Sequence, residues 1–202
     1  MTTDVRGAEG EPWGIYVHIP YCVKKCAYCD FVSVPSAPRA AEMEDYAAAL
    51  TAELLREVPP LRARRGAATT IYVGGGTPTA LPAPLLMGVL ETLRTAAGTP
   101  VEWTVEANPG TVDTAYLGAL RAAGANRLSL GVQSFDDTLL YGIGRIHTAA
   151  EAAQAFHAAR AAGFENISID LMYGLPGQTL DHLRRSVAAA VALAPEHLSV
   201  YG

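Results

Sequence analysis

The chain has 202 residues, 50% hydrophobic and 17% charged, which bounds it to one domain of ordinary size, or one domain plus a stub, with enough chain for a core. Fifteen Lys and Arg against twenty Asp and Glu give a net charge of -5, and no basic run forms a nucleic-acid footprint, so a nucleic-acid partner is not expected. The first residues lack an apolar h-region and the longest apolar stretch, Val187 to Ala194, falls far short of the roughly 20 residues of a membrane span, so no targeting or transmembrane segment is expected and the chain reads as cytoplasmic.

In chain order, residues 1–13 read as a flexible tail. Strands follow at Gly14 to Pro20, Thr70 to Gly74, Pro100 to Ala107, Arg127 to Gln133, Asn166 to Met172 and His197 to Tyr201. Helices are expected between them, near Ala41 to Glu57, Pro82 to Ala96, Asp113 to Ala123, Ala149 to Ala162 and Leu180 to Leu193. Thr148 and Glu151 make a T-x-x-E capping box, and Gly124 and Gly163 stand where helices want a left-handed cap. Arg121-Ala-Ala-Gly124 returns as Arg160-Ala-Ala-Gly163, a weak internal repeat of a helix-to-strand unit. Repeated strand-helix units imply an α/β fold with a parallel sheet.

Strand parity narrows the architecture, since successive residues point to opposite faces. One parity is apolar, including Ile15, Val17, Ile19, Val101, Trp103, Val105, Leu128, Leu130, Val132, Leu198 and Val200. The other is polar or small, including Tyr16, His18, Glu106, Ser129, Gly131, Gln133, Ser168 and Asp170. A doubly wound sheet, covered on both faces, reads as continuous apolar runs. Alternation instead predicts one layer of helices and an open, partial barrel with a wet, ligand-holding interior. That inference requires that no bulge shift a strand's register.

Three cysteines, an odd number packed into Cys22-x3-Cys26-x2-Cys29, read as thiolate ligands in a reducing compartment rather than a disulfide framework. Iron-sulfur clusters normally take four thiolates, so three from one loop would leave one iron open to a small molecule. The alternative is a structural zinc site with His18 or Asp30 as fourth ligand, although zinc sites usually add a distant second pair of ligands. Gly74-Gly75-Gly76-Thr77-Pro78 closes the second strand and permits close backbone approach to a ligand, or simply makes a tight turn. Glu106, Gln133 and Asp170 lie near strand C-termini and converge with Tyr16 on one mouth. Arg145 can place a guanidinium against a ligand carboxylate. Tyr28, between two cysteines, can pack on a flat ligand or shield the cysteines. His157, His182 and His197 are taken as structural or exposed.

These features, with GIYVHIPYC, YVGGGTPTAL, GVQSFDDTLLYGIGRIHT and DLMYGLPGQT, resemble the radical SAM superfamily, in the branch that holds oxygen-independent coproporphyrinogen III dehydrogenases and the heme chaperone HemW. The resemblance runs from about Gly14 to Gly202. It implies a partial (β/α)6 TIM-like barrel as a core domain over 14–202, cut off after strand six, with the family's C-terminal domain beyond this end. It also implies a [4Fe-4S] cluster on Cys22, Cys26 and Cys29, and S-adenosylmethionine contacted by Tyr16, Tyr28, Gly75, Gly76, Thr77, Glu106, Gln133, Arg145 and Asp170. The dehydrogenases carry a further cysteine two positions after the third cluster cysteine, where this chain has Phe31. The resemblance therefore points to a chaperone that binds heme and hands it to an acceptor protein. The alternative is oxidative decarboxylation of a porphyrinogen through a 5'-deoxyadenosyl radical, and either role draws on an electron donor.

Overall fold

The computed structural model describes residues 11–37 and 39–202. Residues 1–10 of the expected tail lie outside the described residues. Trp13, the last residue assigned to that tail, belongs to the core instead: its ring is buried, its indole N–H donates to the Gly66 carbonyl at 3.3 Å, and its carbonyl accepts from Thr69 N–H at 2.8 Å. A large apolar ring with one polar handle is stabilised by that combination.

The chain begins with β1 (Gly14–Ile19) and the short pair β2 (Tyr21–Cys22) and β3 (Val34–Pro35), then α1 (Ala40–Arg65), β4 (Thr70–Gly75) and α2 (Ala83–Ala97). β5 (Glu102–Ala107), α3 (Thr114–Ala123), β6 (Arg127–Gln133), α4 (Asp137–Gly142), α5 (Ala149–Ala161), β7 (Asn166–Met172), α6 (Leu180–Ala192) and β8 (His197–Tyr201) complete it. β1, β4, β5, β6, β7 and β8 lie side by side in that order as one six-stranded sheet, every pairing parallel. This is the expected α/β sheet of six parallel strands. Among the described residues no helix is long and apolar enough to cross a membrane.

The apolar parity packs as expected: Val17, Ile71, Val73, Trp103, Val105, Leu128, Leu130, Ile167, Ile169 and Leu171 are buried in one cluster with α2, α3 and α5. Burial at about 25 cal/mol per Å2 of apolar surface is the main term holding these layers together. Two positions depart from the pattern. Val101 is 80% exposed because β5 starts one residue later, and Val200 is 49% exposed because β8 is the edge strand while α6 packs against β7. On the polar parity Thr104, Ser129 and Ser168 are buried rather than wet. Arg127 donates to Thr104 Oγ1 at 3.2 Å, Ser129 donates to Asp170, and Ser168 bonds His197 Nδ1 at 3.0 Å. The interior is therefore filled by hydrogen-bonded small side chains at Thr104, Ser129 and Ser168, and the cavity lies at the C-terminal ends of the strands.

Helix α1 runs beyond the expected Glu57 to Arg65, with Pro59 and Pro60 inside it. An internal proline forfeits a hydrogen bond and costs about 3 kcal/mol in a helix. Tertiary contacts override that here: Val58 is buried, and Arg62 donates to the Thr95 carbonyl of α2 at 3.1 Å. Helix α4 was not expected; Asp136 caps it by accepting from Thr138 and Leu139 N–H, both at 3.1 Å. The capping box at Thr148 and Glu151 is present. The Arg-Ala-Ala-Gly repeat also has a physical basis. Arg121 donates to the Ala125 carbonyl at 2.5 Å and Arg160 to the Phe164 carbonyl at 3.1 Å, while Gly124 and Gly163 adopt φ of +119° and +89°. In both copies an arginine of the last turn seals the carbonyl that leads into the next strand.

Candidate functional site

The strands β4 to β7 end around a cavity of about 550 Å3, within the range of about 300–1,000 Å3 of small-molecule sites. Of the residues that the resemblance assigns to the cluster and to S-adenosylmethionine, all but Tyr16 line it: Cys22, Cys26, Cys29, Tyr28, Gly75, Gly76, Thr77, Glu106, Gln133, Arg145 and Asp170. Tyr16 stands outside on the exposed part of β1, stacked on Tyr72 with ring centroids 6.1 Å apart and with its hydroxyl 3.0 Å from His18 Nδ1. Tyr16 keeps the inward parity, and its hydroxyl extends to His18 near the end of β1.

The cysteine loop is clamped at its base and braced at its tip. Tyr21 pairs with Val34 and Cys22 with Pro35, so the cysteines project from a closed neck. At the tip, Ala27 N–H donates to the Ile143 carbonyl at 3.2 Å, and Tyr28 packs against the small cluster of Leu139, Ile143 and Leu175. Burial pushes the Tyr28 hydroxyl up to about 12, so it stays neutral and acts as packing. Arg145 follows the same segment. One of its terminal nitrogens donates to the Gly131 carbonyl, the other stands 3.5 Å from Cys26 Sγ, and its buried Nε has no partner.

The glycine run is required by the approach of β4 to β1 and the cysteine loop. A Cβ on Gly76 would sit 2.7 Å from the Tyr21 carbonyl oxygen and 3.0 Å from Cys22 Sγ. The N–H groups of Gly75, Gly76 and Thr77 are committed to Glu106 Oε2 (3.1 Å), the Ile19 carbonyl (2.8 Å) and the Tyr21 carbonyl (2.7 Å). These bonds commit the three backbone donors of the run, with the Glu106 carboxylate among their acceptors.

Two carboxyls line the cavity from β5 and β7, the strands on either side of β6. Glu106 accepts from the Tyr72 hydroxyl at 2.6 Å and from Gly75 N–H; Asp170 accepts from Ser129 at 3.1 and 3.2 Å. Burial raises both above the usual carboxylate range, against the opposing pull of those donors. Tyr72, Ser129 and Asn108 escaped the sequence reading as site residues. Tyr72 and Ser129 share the inward parity and sit opposite or beside selected residues, so parity alone carried a signal for them.

The donor set discriminates between the two metal readings. Zinc needs its ligands at about 2.0–2.3 Å around one point, whereas a four-iron cube takes each thiolate on a different iron, so its sulfurs need not converge. Among the described residues no three His, Cys, Asp or Glu side chains gather around a single ion position. His18, offered as a fourth zinc ligand, has both ring nitrogens engaged, Nδ1 with Tyr16 and Nε2 with the Val32 carbonyl at 2.8 Å. Three free thiols around a roomy cavity, with the buried Nε of Arg145 unpartnered, fit a cluster with an exchangeable ligand.

Comparison with known proteins decides the family. The sequence model of the Radical SAM superfamily matches residues 16–190. The chain belongs to the radical SAM superfamily. Family membership implies a [4Fe-4S] cluster and S-adenosylmethionine as cofactors. The chain is 42% identical over 196 residues to the heme chaperone HemW of Bacillus subtilis, covering 92% of this chain and 49% of that protein. It is 39% identical over 192 residues to HemW of Escherichia coli, covering 94% and 50%. Among solved structures, the coproporphyrinogen III oxidase HemN of Escherichia coli superposes with a TM-score of 0.86 at 32% identity, covering 95% of this chain and 44% of that one. The chain thus spans about half the length of the curated relatives it matches.

Proposed function

We propose that this chain is the radical SAM core of a HemW-type heme chaperone, which holds a [4Fe-4S] cluster and S-adenosylmethionine and passes heme to an acceptor protein. One observation carries the reading: three thiols, and no fourth, ring the C-terminal mouth, with Phe31 on the cavity wall, 69% exposed, where porphyrinogen dehydrogenases carry another cysteine. The several HemW relatives at 34–42% identity support it.

In this reading Cys22, Cys26 and Cys29 would hold the cluster and leave it open to S-adenosylmethionine. When bound, the cluster and S-adenosylmethionine supply one-electron chemistry by reductive cleavage of the sulfonium. The protein's residues orient and exclude. Carbonyls of the Gly75-Gly76 run accept from the methionyl ammonium. Glu106 and Asp170 accept from ribose hydroxyls or the amino group, and Gln133, Thr77 and Tyr28 complete the wall. Arg145, already tied to Gly131, offsets the negative charge that iron-bound thiolates bring beside Cys26. The free thiols suit a reducing cytoplasm.

The alternative, a porphyrinogen dehydrogenase, draws its support from the superposition on HemN. The two are separated by incubating anaerobically reconstituted protein with reductant, S-adenosylmethionine and either heme or coproporphyrinogen III, and reading porphyrins and 5'-deoxyadenosine by mass spectrometry. Stable heme retention without a decarboxylated product is expected; decarboxylation of the porphyrinogen overturns the chaperone reading.

A further inference from the structure

Gln133 is one of two non-glycine residues in the described chain with a positive φ, +69°. Ser134 N–H donates to the Val132 carbonyl at 2.9 Å, so Gln133 is the central residue of a γ-turn of the rare, strained hand. The turn coincides with a register slip against β7, where Gly131 pairs with Asp170 but Gln133 with Leu171. A bulge here re-aims one side chain, and the one re-aimed lines the cavity. Strain of this kind persists only where surrounding contacts over-determine it.

The over-determining contact is His147, which the site described above does not use. It is 4% exposed, with Nε2 3.2 Å from the same Val132 carbonyl oxygen that receives the turn's hydrogen bond, and Nδ1 3.0 Å from Asn108 Oδ1. Burial, with the Arg145 charge nearby, lowers its basicity to a pKa of about 4, so the ring is neutral and has a single N–H. The Val132 carbonyl can only accept, which places that N–H on Nε2. Nδ1 is then an acceptor; turning the Asn108 N–H2 group toward it gives up the bond that Asn108 Oδ1 accepts from Gly110 N–H at 3.2 Å, a loss the contact with Val132 must outweigh. The imidazole thus bolts the end of β5 to the end of β6 and fills the second lone pair of the carbonyl at the turn.

We propose that His147 is a positioning residue: by donating to the Val132 carbonyl it holds Gln133 in the γ-turn, and so sets the wall of the cavity against which S-adenosylmethionine is bound. The ligand half of this inference rests on the function proposed above; the conformational half does not.

The test compares His147→Gln, whose Nε2–H2 falls where the imidazole Nε2 lies, with His147→Asn, whose shorter amide cannot reach Val132. Calorimetric titration of the anaerobically reconstituted protein with S-adenosylmethionine is expected to show about tenfold weaker binding for His147→Asn and less than about threefold for His147→Gln. In a Gln133→Ala background, His147→Asn is expected to weaken binding no further, because its effect passes through Gln133. Equal weakening in both backgrounds, or unweakened binding in His147→Asn, overturns the proposal. Hydrogen exchange at the Ser134 amide reads the turn without any cofactor: faster exchange in His147→Asn but not in His147→Gln supports the conformational half, and unchanged exchange in both overturns it. Wild-type protein that binds no S-adenosylmethionine overturns the ligand half and the proposed function together, while the exchange result still decides the rest.

Discussion

The Tyr72 hydroxyl donates to Glu106 Oε1 at 2.6 Å, while Gly75 N–H donates to the other oxygen at 3.1 Å, so both carboxylate oxygens are held by groups of the neighbouring strand β4. Charge-assisted bonds of this kind are worth about 1.5–3 kcal/mol. Tyr72→Phe removes one donor without changing shape. It is expected to weaken S-adenosylmethionine binding by roughly tenfold to 150-fold, read by calorimetry, with the unfolding transition still cooperative.

The raised carboxyls give stability a pH dependence with a definite sign. Glu106 and Asp170 have ordinary values of 4.5 and 3.8 and are both raised by burial in the folded chain. The folded state therefore binds more protons than the unfolded one across the window from those ordinary values up to the raised ones, and stability falls as pH rises through it. A Glu106→Gln, Asp170→Asn variant lacks this term. Its melting temperature relative to wild type is expected to be higher at pH 7 than at pH 4; the reverse order would show the carboxyls to be stabilised as anions.

Gly76→Ala places a methyl 2.7 Å from the Tyr21 carbonyl and 3.0 Å from Cys22 Sγ. Neither neighbour is the free end of a flexible chain, so the backbone must yield. A cost of about 1–3 kcal/mol in chemical denaturation is expected, as for overpacked cores, together with a fall in reconstituted iron. Iron content equal to wild type would show that Cys22 does not depend on this approach.

Cys26→Ala is expected to lose most bound iron and the visible absorption of the reconstituted protein, measured by iron and sulfide analysis. Full retention of iron would remove Cys26 from the ligand set. Arg145 would then stand beside Cys26 Sγ, at 3.5 Å, for packing alone.

Period-two alternation was enough to place the sheet, because a one-sided layer of helices forces apolar and polar residues onto opposite faces. Glu106 and Asp170 reach one cavity for that reason, on β5 and β7 of a parallel sheet, whereas Gln133 reaches it through the γ-turn and register slip at the end of β6, which alternation does not foresee. What alternation cannot carry is depth along a strand. Ser168 has a polar side chain in a place that proves dry. Nor does it foresee helix α4, whose six residues 137–142 are too few for a periodic signal, or α1 continuing through two prolines that local preference reads as a stop. His147 was invisible for a related reason: its significance depends on a γ-turn, and a hydrogen bond to a carbonyl fifteen positions earlier leaves no mark on either residue's identity.

The seat of the cysteine loop also has a history in time. Cys26 and Arg145 are 119 positions apart, and the carbonyl that braces the tip belongs to Ile143. During synthesis the N-terminal part of a chain emerges first, so the thiols reach the cell long before the residues against which they rest. Until the segment after the sheet's fourth strand has emerged with Ile143 and Arg145, the loop lacks its brace. Iron delivered early would find three mobile sulfurs; iron delivered late would find them spaced and sheltered.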